Sequence, residues 1–112
     1  MISESTKRRL MVAINNPKPY CSGAKRKQLQ VTFDKMLDEL SVALFNEPCT
    51  NRMVFRQKVN SKSSSSKAVK ALKEMLKNQD LLFSKDYRDH EGEIIKFLTS
   101  HVAPFLEELP GG

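Results

Sequence analysis

Apolar positions recur along this chain at spacings of three and four, the period of a helix with one buried face. The longest such stripe is Leu29, Phe33, Met36, Leu37, Leu40 and Leu44. It predicts a helix over roughly 24–46, "AKRKQLQVTFDKMLDELSVALFN", that lies across the core. Val42 and Phe45 widen its apolar face, and Glu47-Pro48 ends it. Upstream, "SESTKRRLMVAINNP" places Leu10, Met11 and Ile14 on one side of a shorter helix. Ser3 or Ser5 caps it by accepting a bond from an unpaired first-turn N–H. Asn15-Asn16-Pro17 stops it, because proline disfavours helical geometry in the residue before it.

Two segments of the second half read clearly. In "KAVKALKEMLKN", 67–78, the residues can be placed at about 100° per step. Ala68, Val69, Ala71, Leu72, Met75 and Leu76 then share one arc. Lys67, Lys70, Lys73 and Lys77 share the opposite arc, with only Glu74 among them. Near the end, Ile94, Phe97, Leu98, Val102, Phe105 and Leu109 form a stripe over 93–109. Pro104 must kink or divide that helix, since it lacks an N–H and its ring meets the preceding turn.

Two others leave alternatives open. "TNRMVFRQKVN", 50–60, is either a short helix capped by Thr50, with Met53, Phe55 and Val59 inward, or a strand through Met53-Val54-Phe55. Leu81, Leu82 and Phe83 read as a strand-like run before a polar turn at Gly92. Residues 17–23 and 61–66 are expected loops, and 110–112 a frayed end. The expectation is one domain over 1–112, mainly α, a small bundle of four to five helices.

Composition adds a direction. The 112 residues carry a net charge of +6, and the mean hydropathy is −0.48. Residues 1–77 hold 16 Lys/Arg against 6 Asp/Glu, and residues 78–112 hold 3 against 7, so a body of +10 precedes a segment of −4. Such a body suits a polyanionic partner, either nucleic acid or an acidic protein. The triplets Lys7-Arg8-Arg9 and Lys25-Arg26-Lys27 add charge but spread around their helices. The run Leu10–Ile14 is too short for a signal sequence, and no stretch reads as a membrane span, so a cytoplasmic chain is expected, in the nucleoid or nucleus if it binds DNA.

Catalytic and metal chemistry find little purchase. Cys21 and Cys49 lack metal-site spacing and read as free, inert thiols of a reducing compartment. His90, between Asp89 and Glu91, reads as a surface histidine with no nucleophile beside it. His101 reads as a partly buried structural residue. We therefore expect no enzyme, no metal and no cofactor.

Residues 50–93, in the order short helix, loop, basic amphipathic helix, apolar run and polar turn, resemble a winged helix-turn-helix domain. The resemblance is carried by Ser66, Val69, Ala71-Leu72, Met75-Leu76 and Leu81-Leu82. It implies a recognition helix at 67–77, a short β-hairpin wing near 80–92, and DNA contact through Lys67, Lys70, Lys73 and Lys77. Arg52, Arg56, Lys58 and Lys62 would help from next door. The exposed arc carries no Arg, Asn or Gln, so the expected grip is on phosphates rather than base edges. The reading is a transcriptional or replication regulator that dimerises through helix 93–109, as C-terminal helices of that family often do. The other reading is a non-enzymatic helical adaptor. Residues 72–109 also resemble the C-terminal accessory region of glycerol-phosphate-type acyltransferases. Their catalytic histidine–aspartate pair is missing, since Ile95 and Leu106 stand five residues after His90 and His101.

Overall fold

The computed structural model describes residues 2–63, 66–83 and 90–109. It is built of helices, with no strand among the described residues. Helix α1 spans Glu4–Asn15. Its cap is Ser3, whose hydroxyl accepts from the Thr6 N–H at 3.2 Å. Thr6, Leu10 and Ala13 face inward, while Met11 and Ile14 pack at the edge of the core. The segment expected as a loop after Pro17 tightens into a 3-10 turn, Lys18–Cys21.

Helix α2, Gly23–Phe45, is the spine of the fold. Leu29, Phe33, Met36, Leu37 and Leu40 are buried along it, as their spacing predicts, with Leu44 and Phe45 partly buried. Val42 is exposed rather than part of the stripe, because at about 100° per residue it falls about 140° around the helix from Leu37. The helix stops one residue ahead of Glu47-Pro48. Asn46 adopts the left-handed conformation (φ 56°), and its N–H bonds to the Val42 carbonyl. Asparagine tolerates that conformation at a helix C-terminus better than most residues.

Residues 50–60 resolve as a helix, α3, Arg52–Asn60. Its cap is Asn51 rather than Thr50. The Asn51 carboxamide oxygen accepts from the N–H groups of Met53 and Val54 at 2.8 and 3.2 Å. Phe55 and Val59 are buried as expected, but Met53 is exposed. Met53 stands two residues before Phe55, about 200° around the helix, and so faces away from the inward line of Phe55 and Val59. Helix α4, Lys67–Lys77, starts at Ser66, whose hydroxyl accepts from the Val69 N–H at 3.1 Å. Leu72, Met75 and Leu76 are buried.

The apolar run Leu81–Phe83 is not a strand. Asp80–Phe83 forms a helical turn, α5, and Leu82 is buried in it. A turn suits the run because Leu82 and the edges of Leu81 and Phe83 all reach the core, where a strand would send alternate residues outward. Of the expected β-hairpin at 80–92, residues 84–89 lie outside the described residues, and 91–92 open the next helix. The expected frayed end, 110–112, also lies outside them.

Helix α6, Glu91–Phe97, continues through a π turn, Leu98–Val102, into α7, Ala103–Glu107. Pro104 does not divide the segment. The wider turn closes with a bond from the Ala103 N–H to the Leu98 carbonyl, five residues back. It stands just where proline would otherwise clash with the turn before it.

These helices bury one common cluster. α1 lies on α2, α3 on α2 and α4, and α4 on α7 and the π turn. Phe33 sits at its centre, with the Phe83 and Phe97 rings at 5.8 and 5.9 Å. Ile94, Phe97, Leu98, Val102, Phe105, Leu106 and Leu109 all lie in it. The stripe on which self-pairing would depend is therefore inside the chain's own core. No helix among the described residues is long and apolar enough to cross a membrane.

Candidate nucleic-acid interface

The sorting of α4 into two faces places its lysines as the sequence implies. Lys67, Lys70 and Lys77 are exposed, and none forms an ion pair among the described residues. Glu74, also exposed, is the one acidic residue on that arc. Lys73 differs. It is half-buried, and its ammonium donates to the Lys62 carbonyl at 2.6 Å. That bond satisfies an otherwise open carbonyl just past the end of α3, so Lys73 joins α3 to α4.

The neighbouring cations on α3 split in the same way. Arg56 is half-buried and forms no ion pair among the described residues. Arg52 is engaged twice. Its Nη1 donates to Asp34 at 3.0 Å, and its guanidinium carbon lies 3.5 Å from the centroid of the Phe83 ring. Lys58 pairs with Glu47 and stands 5.8 Å over the Phe45 ring. Lys62 stands 5.4 Å over the same ring. Of the eight predicted contacts, Lys67, Lys70, Lys77 and Arg56 meet no carboxylate or ring among the described residues, while Arg52, Lys58, Lys62 and Lys73 make contacts within the fold.

The second basic triplet also divides. Arg26 points inward, 3% exposed, and donates to the carbonyls of Leu82 and Leu81 at 3.0 and 3.4 Å. It ties α2 to α5. The signal was in the sequence: Arg26 stands three before Leu29 and seven before Phe33, on the apolar face. Lys25 instead lies 5.6 Å over the Tyr20 ring.

A polar cavity of about 460 Å³ opens beside the start of α3, lined by Asp34, Cys49, Asn51, Arg52 and Asp80, among others. Burial is the main force that raises the Cys49 thiol above its usual range. Asp34 and Asp38 add to the rise, against a backbone hydrogen bond from Asn51 and the charge of Arg52. Cys21 is also raised, first by burial and then by Glu91, with Arg26 opposing. Both are free thiols. Neither carries the depressed pKa of an activated nucleophile. His90 bonds Glu93 at 3.0 Å on the surface, and His101 packs its ring 6.1 Å from Phe97. No three His, Cys, Asp or Glu side chains converge on a metal-sized point among the described residues.

Set against protein-family models, curated proteins and solved structures, the chain matches none.

Proposed function

We propose that this chain is a small basic nucleic-acid-binding protein that holds the phosphate backbone with the outer face of α4. The observation that carries the reading is the trio Lys67, Lys70 and Lys77, exposed on one helix face and in no ion pair among the described residues. Arg56, half-buried on the helix packed beside it, would add a fourth contact. Lysine offers a point charge without a planar fork, so the contact is with phosphates and only weakly with sequence. The role is that of a winged-helix-like regulator acting on DNA through α4.

The test is duplex DNA binding by the full chain over a salt series. With about four phosphate contacts, affinity falls roughly a hundredfold between about 50 and 200 mM salt. No binding at the low-salt end overturns the reading, and so does binding that salt leaves unchanged.

A further inference from the structure

A second surface lies away from α3 and α4, in the groove between α1 and α2. These two helices run antiparallel, since Thr6 near the start of α1 bonds Glu39 near the end of α2. The groove encloses about 620 Å³ and is lined by Val12, Tyr20, Leu29 and Val31, with Arg9 and Lys27 among its polar lining. Val31 and Val12 are 69% and 51% exposed, the two most exposed large apolar side chains among the described residues. Leu29 beneath them is buried. The Thr32 hydroxyl in the lining already donates to the Gln28 carbonyl of its own helix at 2.9 Å.

We propose that this groove docks an acidic amphipathic helix of a partner protein. Charge complementarity selects the acid. Arg9 and Lys27 flank the valines, no carboxylate lines the groove, and neither cation forms an ion pair among the described residues. The apolar lining selects side chains such as leucine over a sugar-phosphate chain. Lys25 lies over one face of the Tyr20 ring, 5.6 Å from its centroid. Helical form follows from the backbone. An extended peptide brings unpaired N–H and C=O groups to a groove walled by helices whose own groups are already bonded, whereas a helix satisfies its own. A second copy of this chain fits poorly, because the apolar stripe of its acidic half is in its core. The groove shares no residue with α3 or α4, so this inference stands apart from the DNA reading.

The experiment titrates the isotopically labelled full chain with two synthetic helical peptides of one leucine stripe, followed by amide chemical shifts. One peptide has glutamates on its polar face, the other lysines. The expected result is saturable binding of the glutamate peptide, with the largest shifts around Val12 and Val31. Val31→Glu or Val12→Glu then weakens it at least about tenfold by charge repulsion and lost burial. Met53→Glu, an equally exposed apolar site on α3, leaves it unchanged. Either groove variant keeps its fold because its side chain is half or more exposed. Equal binding of both peptides, absence of saturation, or indifference to both groove variants overturns the proposal. So do shifts at Val12 and Val31 on adding duplex DNA alone, which assign the groove to nucleic acid instead.

Discussion

Arg52 lies flat against Phe83, its guanidinium carbon 3.5 Å from the ring centroid, while its Nη1 holds Asp34. Phe83 in turn meets Phe33 edge-on. A surface cation is thus coupled through two rings to the centre of the core. Arg52→Ala should lower stability by about 1 kcal/mol, most of it from the stacked face, since an exposed ion pair adds little. Arg52→Lys should recover only part of this, because an ammonium does not stack as a planar guanidinium does. Chemical denaturation of the three proteins measures it. Full recovery by lysine would mean that charge alone matters at this site.

The lysines should separate in a DNA titration according to their partners. Lys70→Gln and Lys77→Gln each reduce the salt slope by roughly one and leave thermal stability unchanged. Lys58→Gln changes the slope less, because Lys58 is already paired with Glu47. Lys73→Gln acts chiefly on stability, at about 1 kcal/mol, through its lost bond to the Lys62 carbonyl. A uniform effect across all four would show that these pairings do not persist in solution.

Glu39 joins α2 to α1 through its bonds from Ser3 and Thr6. Partial burial pushes its carboxyl up, but hydrogen bonds from the Ser3 N–H and the Thr6 and Ser3 hydroxyls, with the charge of Lys35, outweigh that and hold it below its ordinary value of 4.5. A carboxyl depressed in the folded state stabilises above its unfolded pKa, and that contribution is lost as pH falls through the folded one. Stability should therefore decline on acidification from about pH 4.5 downward. Glu39→Gln should be less stable at pH 7 and show a shallower decline over that range. Denaturant midpoints at several pH values check both parts.

The thiols should label slowly and in order. Cys49 is half-buried and Cys21 is buried, and both are shifted toward the protonated form. An alkylating reagent near pH 7 should modify Cys49 first, with Cys21 reacting only on unfolding. Mass spectrometry of a labelling time course reads the order directly.

How much of this was legible depended on whether one helix face or several elements decided the outcome. The cores of α2 and α4 followed from periodicity, because each buries a single stripe. The Ser66 cap followed from local chemistry. The helical turn at Asp80–Phe83 did not, because three consecutive apolar residues suit a buried turn as well as a strand until Arg26 is seen to bond the Leu81 and Leu82 carbonyls. For the lysine face the sequence supplied the residues. It could not say which were already paired, since Asp34, Glu47 and Phe83 reach Arg52 and Lys58 only through the fold. The α1–α2 groove was invisible for the same reason: Val12 and Val31 are far apart in sequence.

The π turn before Pro104 has a consequence for chain length. On an unbroken α-helix, Ile94, Phe97, Leu98, Val102, Phe105, Leu106 and Leu109 would fan over about 180° at 100° per residue. With one residue absorbed between Leu98 and Val102, the same set narrows to about 120°. The segment thus behaves as a regular helix carrying one supernumerary residue. Removing exposed Thr99 or Ser100 would leave every core side chain in phase and fail only at Pro104, whose clash the wide turn relieves. Removing the residue together with Pro104→Ala should restore an ordinary helix, one residue shorter, on the same core.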